Sequence, residues 1–206
     1  MRLRFTVLSL AILCVAVLLI WLTHAFWTRR LAETLVCTEH VRKSDALVLE
    51  NFDPPDYPVF KRAAELQKMR LADKVFVPVL AEGDLQAPNE VSKGIAEVMA
   101  RVAGLSTMEL IPIQLNEPIT LNAVKQILVV LMKEHVTSVV VVSTAFRSER
   151  AWLVHNAVLA PAGIQVGCAP AFGFGTPSNW THSWHGMENV SEQLVKLMYY
   201  RFWVLL

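Results

Sequence analysis

Four stretches of the chain combine residue types that could do chemistry. The first is Ser143-Thr144-Ala145-Phe146-Arg147-Ser148-Glu149-Arg150, where hydroxyls leave an apolar run and two arginines stand at a helix start. Backbone N–H groups and the helix dipole favour an anion at such a start, and arginine adds bidentate pairing. Ser143, Thr144, Arg147 and Arg150 are therefore candidate ligands for a phosphate or a carboxylate. The ordinary alternative is that Ser148 caps the helix and the arginines are surface residues. The second stretch is Glu117-Pro118-Ile119-Thr120-Leu121-Asn122. Glu117, Thr120 and Asn122 could point into the same crevice, although Thr120 could equally cap the helix that follows. The third, Leu49-Glu50-Asn51-Phe52-Asp53-Pro54-Pro55, offers Glu50 and Asp53 as acids. A turn rich in Asp and Pro is the favoured reading there.

The fourth stretch holds Trp180, His182, Trp184, His185 and Glu188. The two histidines and the acid have roughly helical spacing, but they match no zinc motif, and no metal is assigned. Trp180 and Trp184 are read as covering the end of the core or lying near a bilayer. The chain has no Walker loop, no G-x-S-x-G elbow and no G-x-G-x-x-G. No catalytic residue is assigned, and whether the protein is an enzyme stays open.

The elements that must position these residues alternate regularly. Short β-branched runs at 46–49, 74–79, 109–113, 138–142 and 165–168 read as strands. Longer amphipathic stretches at 58–69, 89–102, 120–133, 149–159 and 187–200 read as helices, the second ending at Gly104. The run at 138–142 is wholly apolar, as in a strand buried on both faces of a parallel sheet. Strict alternation predicts an α/β fold with a doubly wound, mainly parallel sheet of about five strands. Ligands of such sheets sit beyond the carboxyl ends of the strands, where the first three stretches lie.

Residues 5–27 form a run of 23 without a charged side chain. As a helix it spans roughly 35 Å, enough to cross a hydrocarbon core. A cleaved signal peptide is the competing reading, but signal cores are shorter and end in small residues. The expected organisation is a transmembrane anchor over residues 1–30, in contact with the lipid bilayer through 5–27, and one domain over 31–206. Arg2 and Arg4 precede the run and Arg29 and Arg30 follow it. The positive-inside rule therefore discriminates weakly, with a lean toward the domain on the outer side. Residues 31–206 carry 15 Lys+Arg against 18 Asp+Glu, a net of −3. That balance gives no electrostatic footprint for nucleic acid. Of the three cysteines, Cys14 lies in the apolar run. Cys37 and Cys168 fit no metal or redox spacing. They could pair in an oxidising compartment, but two buried free thiols are the preferred reading.

Taken in order, four blocks over residues 44–203 resemble the YdcF-like family of bacterial proteins, which includes SanA and ElyC. Asp45-Ala46-Leu47-Val48-Leu49 resembles its first block, residues 117–122 its middle block and residues 139–151 its third. The ending resembles Trp180 to Tyr200, with Glu192, Lys196, Tyr199 and Tyr200. The resemblance implies a Rossmann-like three-layer sandwich, often behind one membrane helix in the cytoplasmic membrane. It also implies a link to peptidoglycan or polysaccharide biogenesis in the cell envelope. For one branch of the family it implies binding of S-adenosylmethionine. On this basis the seven candidates Glu117, Thr120, Asn122, Ser143, Thr144, Arg147 and Arg150 would hold a small anionic, phosphorylated or nucleotide-like ligand. Three departures from the family pattern stand out. Glu50-Asn51 replaces a Gly-Gly, Phe146 replaces a histidine and Leu121 replaces a glutamate. They motivate the alternative, a non-catalytic interaction module with an eroded site that docks an envelope protein partner.

Overall fold

The computed structural model describes residues 2–50, 56–83, 87–173 and 175–205. Asn51, Asp53 and the Pro54-Pro55 pair lie outside the described residues. A long helix α1 (Arg2–Glu33) leads into five strands and five helices in alternation. These are β1 (Ala46–Leu49), α2 (Tyr57–Lys68), β2 (Lys74–Leu80), α3 (Glu90–Ala103), β3 (Glu109–Ile113), α4 (Ile119–Lys133), β4 (Ser138–Thr144), α5 (Ser148–Leu159), β5 (Gln165–Ala171) and α6 (Trp184–Tyr199). The strands form one parallel sheet in the order β3-β2-β1-β4-β5. The five-stranded parallel sheet is the one the alternation predicts, and the whole is a Rossmann-like α/β sandwich.

Successive side chains on a strand point to opposite faces, so an apolar strand run needs cover on both sides. Ala46 and Val48 of β1 join one cluster with Ala123, Val124, Ile127 and Leu131 of α4 and Val154 of α5. Leu47 and Leu49 join the opposite cluster with Phe60, Ala63 and Leu66 of α2 and Ala96 and Ala100 of α3. From β1 the chain steps outward to β2 and β3, then crosses back to β4 on the other side. The order therefore reverses between β1 and β4. In an open sheet that switch point opens a crevice beyond the carboxyl ends of the strands.

Several boundaries extend beyond the sequence reading. β4 continues to Thr144 and β5 to Ala171, both still in register with each other. The last helix begins at Trp184 rather than 187, because the Ser183 side chain accepts the Gly186 N–H and closes its first turn. Only glycine fits at 186, since a Cβ there would stand 2.1 Å from the Trp180 carbonyl oxygen. Gly104 ends α3 in the left-handed conformation, as expected of a glycine C-cap.

The preferred reading of Cys37 and Cys168 as free thiols is corrected: they form a disulfide, with Cα atoms 6.5 Å apart. The segment after α1 runs beside β5, and the His40 N–H donates to the Cys168 carbonyl at 3.0 Å. That pairing covers one edge of the sheet and brings the two thiols together. Ser148 does not cap α5. Its Oγ donates to the Ala145 carbonyl at 2.6 Å and accepts the Cys37 N–H at 3.0 Å.

Among the described residues no single helix is long and apolar enough to cross a membrane. Ile12–Leu19 and Trp21–Glu33, bent by 46° at the break between them, meet the length and composition requirement together. At that break the Thr23 hydroxyl donates to the Leu19 carbonyl at 2.7 Å. Such back-bonding is a known cause of helix bending. The far end of α1 belongs to the domain, with Ala32 and Leu35 buried against Phe146, Trp180, Val190 and Leu197.

The disulfide closes a loop between cysteines 131 residues apart. On the chain-entropy account such a closure is worth up to about 5 kcal/mol, and removing a native bridge typically costs 2–5. Cys37→Ser/Cys168→Ser is therefore expected to lower the denaturant midpoint by a corresponding amount. Reductant should do the same to the wild type and nothing further to the double variant. Equilibrium unfolding in urea with and without dithiothreitol checks this.

Candidate functional site

The crevice between β1 and β4 is occupied by side chains. Glu50, the residue after β1, is only 5% exposed, and the Ser143 hydroxyl at the end of β4 donates to its Oε2. Arg150, in the first turn of α5, is 7% exposed. Its Nη1 donates to Thr120 Oγ1 at 2.9 Å and its Nη2 to Gln193 Oε1 at 3.4 Å. Nη2 also lies 3.7 Å from Glu50 Oε1. The guanidinium stands 5.5 Å from the centre of the Tyr200 ring, and the Tyr200 hydroxyl accepts the Thr120 N–H at 3.0 Å. Burying a charge is expensive unless it is paired and hydrogen-bonded. Here one acid, one base and four neutral polar groups meet that demand among themselves.

Of the seven candidates, Thr120, Ser143 and Arg150 come together in this network. Thr120 does not cap α4, because its hydroxyl is directed at Arg150 instead. Thr144 and Arg147 are neighbours of the network in the chain. Arg147 is half-buried, and its charge acts on both Asp56 and Glu192. Glu117 is exposed. The Asn122 side chain donates to the carbonyls of Asn116 and Glu117 at 3.1 and 2.8 Å, pinning its own loop. Asn122 also lines a separate cleft of about 710 Å³ between β3 and α4, with Gln114 and Lys125. Glu117 and Asn122 thus do not reach the switch point.

Glu50 is not the solvated turn residue that the favoured reading made it. Gln193 and Tyr200 arrive from α6 and the helical turn after it, far beyond Arg150 in sequence. His155, buried on α5, lies close enough to feel the Glu50 charge. Its Nδ1 is 2.8 Å from the Ala151 carbonyl, and its Nε2, like Arg150 Nε, has no hydrogen-bond partner among the described residues. Burial holds the imidazole below its ordinary value, against the opposing pull of the Ala151 carbonyl and Glu50. Asp45, in the first family-like block, lies at the opposite end of β1. It accepts the Thr137 N–H and hydroxyl and the Ser138 N–H, bonds that hold its carboxyl below the usual range. Its role is to join two strand starts.

A larger cleft of about 760 Å³ opens between the start of α2 and the end of β5, with Asp56, Tyr57, Lys61 and Phe172 in its lining. Asp56 is half-buried, and desolvation pushes its carboxyl up while Arg147 opposes the shift. In the fourth stretch, His182, His185 and Glu188 are exposed, with His185 Nδ1 3.8 Å from Glu188 Oε2.

No protein-family model matches the chain, and no curated protein matches it. The fit of S-adenosylmethionine, which the family resemblance implies for one branch, is therefore judged on the residues present. A cofactor at the switch point needs close backbone approach after the first strand, which glycine permits. Glu50 instead places a buried carboxylate there, one oxygen facing Ser143 and the other Arg150. The residues do not fit the group.

Two outcomes follow. Removing one partner of a buried ion pair costs about 3–5 kcal/mol, because the other charge is left unpaired. Arg150→Met should be destabilising on that scale. Glu50→Gln/Arg150→Met should lose less than the two single changes combined, with a coupling of at least about 1 kcal/mol in a urea-unfolding double-mutant cycle. Strict additivity would show the pair to be uncoupled. For His155 the depressed value means that the unfolded chain binds the proton first on acidification. Stability is then present above the unfolded value of about 6.5 and is lost as pH falls from there toward the folded value. Unfolding free energies between pH 7.5 and 5 should fall for the wild type, with a clearly shallower slope for His155→Gln.

Proposed function

We propose that the chain is a membrane-anchored bacterial envelope protein of the YdcF-like type. In this reading its Rossmann-like domain stands outside the cytoplasmic membrane and works as a non-catalytic module that docks an envelope-assembly partner. The observation that carries this is the internal saturation of the switch point. The arginine best placed to take an anion is already held by Thr120, Gln193 and Glu50. A carboxylate of the chain itself stands where a ligand's anionic group would go.

Two further features support the setting. Disulfides persist in oxidising compartments, and Cys37–Cys168 places a covalent bond between the segment that follows α1 and the far edge of the sheet. That favours the outer side of the membrane, which the charge flanks alone leave weakly determined. The apolar run of residues 5–27 supplies the anchor, and α1 is continuous with the domain's packing through Ala32 and Leu35. The second reading, a domain that holds a phosphorylated or nucleotide-like ligand in cell-wall or polysaccharide biogenesis, has the cleft beside Asp56 and Arg147 in its favour.

Complementation of a deletion strain separates the two. The Glu117→Ala/Arg147→Ala chain should complement fully. A chain whose residues 5–27 are exchanged for a cleavable signal peptide should fail while still being secreted and oxidised. Two results together would overturn the module reading. One is loss of complementation by the double variant at normal abundance. The other is a saturable rise in wild-type melting temperature with a nucleoside-diphosphate sugar that the double variant lacks.

A further inference from the structure

Trp180 and Trp184 stand four residues apart and have opposite environments. Trp180 is 8% exposed and packs with Ala32 of α1 and with Leu35 in the turn just after it. Its indole N–H donates to the Thr28 carbonyl at 3.0 Å. Trp184, the first residue of α6, is 71% exposed. The turn between them is rigidly set. Ser183 caps α6, and Gly186 approaches the Trp180 carbonyl so closely that no side chain fits at 186. Four residues reach at most about 14 Å. Trp184 therefore stays within about that reach of Trp180, whose indole is bonded to Thr28.

Thr28 is the residue that follows the apolar run of 5–27. A helix that ends its apolar stretch there places Thr28 in the zone where hydrocarbon gives way to headgroups. On α1 itself, Phe26 and Trp27 are also exposed, the latter 64%. Met187, one turn after Trp184, is exposed as well. Indole is the side chain best suited to this zone, with an apolar body for the acyl boundary and an N–H for the headgroups. A fixed, solvent-facing Trp184 next to Met187 would be costly in water. It becomes favourable when the surface beside it is lipid.

We infer that the start of α6, through Trp184 and Met187, lies in the headgroup zone of the same bilayer that α1 enters. The domain then touches the membrane at two points, the end of α1 and the start of α6. The Trp180–Thr28 hydrogen bond clamps those points together and sets the tilt of the domain. Arg29 and Arg30, exposed beside Thr28 and paired with Glu33, lie in the same zone. The inference rests on the anchor reading of residues 5–27 and adds to it a lipid-facing surface on the folded domain.

The test uses the full chain in phosphatidylcholine/phosphatidylglycerol vesicles, with and without lipids brominated near the headgroup, for the wild type and for Trp184→Phe. Trp184 is exposed and makes no side-chain hydrogen bond among the described residues, so phenylalanine should leave the fold intact; unfolding in urea verifies this. The difference between the two chains isolates the Trp184 emission. Bromolipid should remove at least about half of it, as for an indole at interfacial depth. If the Trp184 emission is unquenched while both chains float with the vesicles, the inference is wrong and the anchor stands. If neither chain floats with vesicles, the anchor reading fails and takes this inference with it.

Discussion

A guanidinium with almost no access to water has to find its partners inside the protein, and Arg150 does so by drawing five parts of the chain to one point. Glu50 comes from the end of β1, Ser143 from the end of β4, Thr120 from the first turn of α4, Gln193 from α6 and Tyr200 from the turn after it. None of these elements is adjacent in sequence to all the others. Apolar side chains of similar volume would stabilise the same space as well or better. What the polar set adds is selectivity of alignment. An apolar core tolerates sliding, whereas a shifted α4 or α6 would strand a buried charge or a buried hydroxyl. The carboxyl ends of the strands are thereby locked together at the one place where an open parallel sheet would otherwise gape.

A second set of ties fixes α1 to this frame. The Glu149 N–H donates to the Leu35 carbonyl, the Cys37 N–H to Ser148 Oγ, and Cys37 is bonded to Cys168. All three contacts land on α5 or on β5, the elements next to Arg150. The helix that leaves the domain is therefore not joined by a loose linker. Its last turns are part of the core, and the Trp180 indole extends the grip back to Thr28. Any orientation that α1 adopts is passed on to the sheet.

The fold was legible because burial on both faces of a parallel sheet requires long apolar strands, and the runs at 46–49, 109–113 and 138–142 display that requirement directly. The strand ends were less legible. Pro170 and the hydroxyls of Ser143 and Thr144 read as loop residues, yet the pairing of β4 with β5 carries them two or three positions further. Within the site, Ser143 was visible because a hydroxyl directly follows an apolar run, and Thr120 and Arg150 because each stands at a helix start. Glu50 was hidden by the Asp- and Pro-rich residues behind it, which look like a solvated turn. Gln193 and His155 gave no local signal, since a polar residue on an amphipathic helix is normally on its wet face. Glu117 and Asn122 were misleading for the converse reason. A short polar loop can spend its donors on its own carbonyls, as Asn122 does. The cysteine pairing was open to the sequence but not preferred, because a separation of 131 residues carries no information about proximity.

The position of Glu50 ties stability to the loss of an open site. Where a glycine follows the first strand of such a sheet, the backbone leaves room for an external anion, and a buried arginine nearby depends on that anion for compensation. A carboxylate supplied by the chain is permanently present, so its effective concentration exceeds that of any free ligand. An external phosphate would have to expel Glu50 from its place beside Ser143 and Arg150, or share one cation with it. Like charges in a dry crevice repel strongly. At the switch point the chain's own carboxylate thus already sits between Ser143 and Arg150, and the buried guanidinium finds its partners within the fold.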